Sequence, residues 1–112
     1  YAGETERLSE HAKSLINKND LLISPMVFLE LQYLFEIQRI TEKPENVVQA
    51  LSQQLGLKIC EKNFYAITTS ACNFDWTRDP FDRLIVANAF LSKAPLLTKD
   101  QTILDNYEFA EW

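Results

Sequence analysis

Three short apolar runs constrain this chain more than any other feature: Leu21-Leu22-Ile23, Leu57-Lys58-Ile59-Cys60 and Leu96-Leu97-Thr98. Each is short enough for a buried strand, and helical periodicity fills the stretches between them. A first helix is expected from a cap at Thr5 or Ser9 to about Lys18, with Leu8, Ala12, Leu15 and Ile16 as its apolar stripe. Ser24-Pro25 starts a second helix through Met26, Leu29, Leu34 and Ile37, because a hydroxyl caps the free amides and a proline there loses no needed donor. Pro44 begins a third through Val47, Val48, Leu51 and Leu55, which Gly56 is placed to end. Asn63 caps a helix from Phe64 to about Ala71, and a loop runs from Asn73 to Arg78. Asp79-Pro80 opens another helix through Leu84, Ile85, Ala87 and Phe90, which Pro95 breaks. A helical turn follows from Asp100 and leads to the final segment, Tyr107 to Trp112. Short strands alternating with helices signal a parallel sheet covered by helices, so the expected class is α/β.

At 112 residues, 46% of them hydrophobic, the chain has material for one core and one domain, residues 1–112. Eleven Lys and Arg against sixteen Asp and Glu leave a net charge of −5, which disfavours phosphate backbones unless contact is local or mediated by a metal. No apolar run approaches the roughly 20 residues of a membrane span. The acidic start, Tyr1-Ala2-Gly3-Glu4-Thr5-Glu6, lacks the basic and apolar regions of a signal peptide. Cys60 and Cys72 match no zinc-ligand spacing and are expected as free buried thiols in a reducing cytoplasm. His11, in a polar helical stretch, is expected at the surface.

The candidate chemistry lies in carboxylates. Sites in parallel α/β sheets gather at the carboxyl ends of strands, and Glu30, Asp79, Asp82 and Asp100 fall in or near such regions. Glu30 has Met26, Val27, Tyr33 and Leu34 as helical neighbours, and a carboxylate on an apolar stripe is costly to bury without a cation or donors. The bland alternative is a boundary residue hydrogen-bonded to backbone. Asp79 has a structural explanation as the cap before Pro80, with Arg83 four residues on as an ion-pair partner. Asp82 falls in the first turn, where the helix dipole favours negative charge, and Asp100 sits where Asp commonly caps. Together, converging carboxylates without matching His or Cys point to Mg2+ or Mn2+, ions that suit phosphodiester hydrolysis. A phosphate-binding glycine loop is absent, the glycines being Gly3 and Gly56 alone.

Ser24-Pro25-Met26-Val27-Phe28-Leu29-Glu30-Leu31, Arg78-Asp79-Pro80-Phe81-Asp82-Arg83-Leu84-Ile85-Val86-Ala87 and Leu96-Leu97-Thr98-Lys99-Asp100 resemble, in order, the motifs of PIN domains. The Asp-Pro-Phe-Asp-Arg run resembles the VapC-type toxin branch. The resemblance implies a PIN-like three-layer sandwich with a parallel sheet flanked by helices, and a Mg2+- or Mn2+-dependent ribonuclease held in check by an antitoxin protein. It implies catalytic and metal-binding roles for Glu30, Asp82 and Asp100, with Asp79, Thr98 and Arg83 in support: Thr98 beside the last acid, Arg83 toward a phosphate or paired with Asp79. It further implies a homodimer, a cytoplasmic location and no membrane.

The family pattern begins with a central strand ending in Asp, and Tyr1-Ala2-Gly3-Glu4 resembles the segment just after that strand. The resemblance thus implies an N-terminally truncated domain, whose unpaired backbone groups cost about 1–3 kcal/mol each if buried. The competing reading is a catalytically defective PIN-like module that binds an antitoxin or a second copy of itself. A phosphoacceptor receiver shares the α/β alternation, but Lys99 is adjacent to the last acid rather than where that pattern needs a lysine.

Overall fold

A computed structural model describes residues 9–112. The first-helix expectations at Thr5 and Leu8, and the segment Tyr1–Glu4, lie outside the described residues. By its internal contacts the chain divides into two compact units, one ending at Cys60 and the other running from Glu61 to Trp112.

In the first unit, Ser9 Oγ accepts the Ala12 amide at 2.9 Å and starts α1 (Glu10–Lys18), whose Ala12 is buried. His11 is exposed on that helix, as the sequence led us to expect. The first strand, β1 (Leu22–Ile23), leads to Ser24, whose Oγ accepts the Met26 amide at 3.1 Å and starts α2 (Pro25–Glu36). Next comes α3 (Pro44–Leu55), which has no side-chain cap but begins at a proline and ends at Gly56 with φ 70°. Then β2 (Lys58–Ile59) runs parallel to β1, with the Lys58 amide on Leu21 O at 3.0 Å and the Cys60 amide on Ile23 O at 2.7 Å. Leu31, Val47, Leu57 and Cys60 are buried, and α2 packs against α3.

The second unit is built around one helix. Asn63 caps α4 (Phe64–Ala71) through the Ala66 amide at 2.9 Å, and α4 packs against α5 (Pro80–Phe90). One face of α5 joins Ala87 to Ile67 and Ala71 of α4, with Phe74 and Leu84 alongside. Val86 joins a second cluster with Ile103 and Tyr107, around which Phe74, Trp76, Leu96 and Phe109 pack. Ile103 lies on α6 (Gln101–Asn106), the helix that follows β3 (Leu96–Leu97). The final segment contains β4 (Ala110–Glu111), parallel to β3 through Leu96 N to Phe109 O and Thr98 N to Glu111 O, both 3.0 Å.

Several expectations need correction. A single parallel sheet was expected, whereas the described strands form two parallel pairs, β1 with β2 and β3 with β4. At two residues each, these strands offer few ladder bonds. Leu22, expected inside, is 58% exposed, because β1 pairs with β2 alone among the described residues. Cys60 is a buried free thiol as expected, but Cys72 is exposed, since it caps the end of α4 beyond the packed Ala71. Pro95 does not end α5. The helix stops at Phe90, and the chain reverses at Lys93 with φ 49°, where the Ala94 amide reaches back to Ala89 O at 3.0 Å. Among the described residues no helix is long and apolar enough to cross a membrane.

Candidate functional site

Asp82 is half-buried in the first turn of α5, where the free amides of the helix start favour a carboxylate. The turn before it is tied at several points. The Asp79 amide donates to Thr77 Oγ1 at 3.2 Å, and Asp79 Oδ1 accepts the Phe81 amide at 2.8 Å. Arg83 Nε donates to Thr77 O at 2.7 Å, while the Arg83 amide donates to Asp79 O at 3.1 Å. Asp79 is therefore the helix cap the sequence suggested. The expected Asp79–Arg83 ion pair is not formed: the carboxylate folds over the helix amides, and the guanidinium reaches back to a loop carbonyl.

Asp100 starts α6 in the same manner. Its amide donates to Thr98 Oγ1 at 3.1 Å and its Oδ1 accepts the Ile103 amide at 3.0 Å, leaving Oδ2 outside the cap. The hydroxyl of Thr98 thus fixes the backbone of the acid beside it, and the Thr98 amide is held by Glu111 O across β3 and β4. Thr98 and Asp100 are brought together directly, as are Thr77, Asp79 and Arg83. Thr77 was missed in the sequence, although Thr77-Arg78-Asp79 repeats the pattern of Thr98-Lys99-Asp100 and was legible there.

Glu30 lies in the first unit, half-buried on α2 next to buried Leu31, while Asp79, Asp82 and Asp100 lie in the second. As donors, Glu30, Asp82 and Asp100 supply carboxylate oxygens alone, the set that suits a hard divalent cation. Asp100 satisfies this while capping, because the cap uses one oxygen of two. Among the described residues, no group of three or more His, Cys, Asp and Glu side chains is gathered around one metal position.

Two further polar groups went unnoticed in the sequence. Ser70 Oγ on α4 and Asn88 Oδ1 on α5 are buried without a hydrogen-bond partner, and nothing in the sequence distinguishes them from residues of an ordinary helix face. A cleft of about 200 Å3 between the same two helices is lined by Thr68, Ala71, Cys72, Pro80, Arg83 and Leu84, smaller than typical ligand pockets.

These features describe an α/β chain with carboxylates at helix starts that follow hydrogen-bonded turns. The chain belongs to the PIN domain family, whose model matches residues 1–109. PIN domains are generally nucleases, typically dependent on Mg2+ or Mn2+, and PIN nucleases bind RNA. No curated protein and no solved structure matches the chain.

Proposed function

We propose that this chain is a VapC-type endoribonuclease, the toxin of a toxin–antitoxin pair, hydrolysing RNA phosphodiester bonds in the cytoplasm. The observation that carries the reading is that, within the span the family model matches, Asp82 and Asp100 stand at helix starts held by the same kind of hydrogen bond, an aspartate amide donating to the threonine two residues before it: Asp79 to Thr77 ahead of Asp82, and Asp100 itself to Thr98. In this reading residues 1–112 belong to one PIN-like three-layer domain, its antitoxin and a second copy are its protein partners, and Glu30, Asp82 and Asp100 are the acids that the family resemblance assigns to a Mg2+ or Mn2+ ion. When bound, such an ion activates water and offsets charge developing on the phosphate.

The remaining chemistry belongs to the chain. Half-buried Asp82 lies in the first turn of α5, where the free amides of the helix start favour a carboxylate that would receive a cation. Asp100 presents its second oxygen from a rigid turn, because Oδ1 and the amide are both already bonded. Thr98 positions Asp100. Asp79 starts the helix that carries Asp82, and Arg83 braces the preceding loop while keeping further N–H groups for a phosphate.

The test is cleavage of structured RNA with Mn2+ present and with it chelated. Cleavage is expected to require Mn2+, and Asp82→Asn is expected to slow it by a hundredfold or more, about 2.7 kcal/mol. Activity unchanged by that substitution sinks the assignment. A second reading, a catalytically inert module that binds an antitoxin or itself, is favoured by the uncovered stripe on and just beyond α2, where Leu29, Tyr33 and Ile37 are 53%, 50% and 45% exposed. It requires that calorimetry find no Mn2+ binding in the low-millimolar range or tighter, and micromolar affinity would exclude it.

A further inference from the structure

Twice in the second unit the sequence reads threonine, cation, aspartate: Thr77-Arg78-Asp79 before α5 and Thr98-Lys99-Asp100 before α6. Both tripeptides are built alike. In each, the threonine Oγ1 accepts the aspartate amide, at 3.2 and 3.1 Å, and the aspartate Oδ1 accepts an amide of the helix, at 2.8 and 3.0 Å. The first and third residues are thereby committed to holding the turn. The middle side chain takes no part in it, and Arg78 and Lys99 carry no ion pair among the described residues.

Charge makes these positions informative. The chain carries −5 overall, and the acids of the site repel an RNA strand that bears one negative charge per nucleotide. Binding therefore needs cations close to those acids. Arg78 stands four residues before Asp82, and Lys99 immediately precedes Asp100. Of the other cations in this stretch, Arg83 has its guanidinium drawn to Thr77 O by the 2.7 Å bond from Nε, and Lys93 lies in the turn after α5, away from both helix starts in the sequence. Arg78 and Lys99 are thus exposed cations without an ion pair among the described residues, mounted on turns that hydrogen bonds hold.

We propose that Arg78 and Lys99 bind phosphates of the RNA strand other than the one being cleaved, so that the two matching turns each present one acid-linked helix and one strand-holding cation. This proposal rests on the ribonuclease reading and extends it to the contacts that hold the substrate. Contacts of this kind are equally strong before and during the reaction, so their loss raises KM and leaves kcat alone.

The experiment measures kcat, KM and the salt dependence of binding with a labelled single-stranded RNA 20-mer for the unsubstituted protein, Arg78→Ala, Lys99→Ala and the double variant. Each single substitution is expected to raise KM by about 3- to 10-fold and to lower the slope of log affinity against log salt by about 0.7, with kcat within about twofold. The double variant should show both effects summed, Arg78→Lys and Lys99→Arg should restore most of the affinity, and Arg39→Ala, an exposed cation of the first unit, should change nothing. Cleavage that persists with KM and salt slope unchanged in the double variant overturns this proposal alone. An unsubstituted protein with no Mn2+-dependent cleavage overturns the ribonuclease reading and this proposal with it.

Discussion

Tyr107 shows how much one hydroxyl can govern. The residue is 4% exposed, stacks edge-on against Phe109 at 5.7 Å, and donates from its OH to Ala94 O at 2.8 Å. Burial, and then the charge of Glu108, hold its pKa above the ordinary 10.0. The folded chain therefore retains a proton that the unfolded chain releases from about pH 10. The stabilisation is complete below that pH and is lost as pH rises through the higher folded value. Urea unfolding of the unsubstituted protein should show its midpoint falling above pH 10, and Tyr107→Phe should flatten that fall while costing about 1 kcal/mol at pH 7 through the donor lost to Ala94 O. An equally steep alkaline loss in the Phe variant would assign the effect to another group.

Side-chain caps were the most legible feature at this scale. Ser9, Ser24, Asn63, Asp79 and Asp100 all bond the amides expected of them, because a cap depends on residues two or three positions away. The Asp79–Arg83 pair failed for the same reason. A residue at the cap position bends its carboxylate over the first turn and away from the residue four positions on.

Helix ends divide by chemistry. Gly56 ends α3 at φ 70°, and a Cβ added there meets nothing within 4 Å, so Gly56→Ala should cost about 1 kcal/mol from backbone strain alone. Gln38 after α2 and Lys93 after α5 take the same left-handed conformation without being glycine, at φ 63° and 49°. Both close their helices with an amide reaching five residues back, Arg39 to Leu34 O at 2.8 Å and Ala94 to Ala89 O at 3.0 Å. Lys93→Gly should raise stability by up to about 1 kcal/mol in thermal or urea unfolding, and a loss instead would show that the lysine side chain contributes more than its backbone costs. The sequence showed the glycine stop and hid the other two, since nothing marks Gln38 or Lys93 as a turn former. It also hid β4, whose two residues in Phe109-Ala110-Glu111-Trp112 are too few to display an alternation.

For the whole molecule, the order of the helices and of the first three strands followed from the sequence, because helix periodicity is long and repeated. The pairing of strands did not, because partners are chosen by contacts distant along the chain: Leu22 with Lys58 and Leu96 with Ala110. The acids of the candidate site were individually visible and are distributed over both units, Glu30 in the first and Asp82 and Asp100 in the second. What no local pattern revealed is that Thr98, and through it Asp100, is fastened from the far end of the chain. Trimming the protein after Phe109 removes the Glu111 carbonyl that the Thr98 amide donates to. That loss should lower the melting temperature by several degrees, about 4–8 °C for each kcal/mol, and reduce RNA cleavage although no removed residue is an acid of the site. An unaltered melting curve and full activity would show that the turn stands without β4.

The tie between Glu111 and Thr98 has a practical side. Whatever follows Glu111 in the chain pulls on the strand that steadies the Asp100 turn, so tension or cleavage there reaches that turn through a single peptide carbonyl.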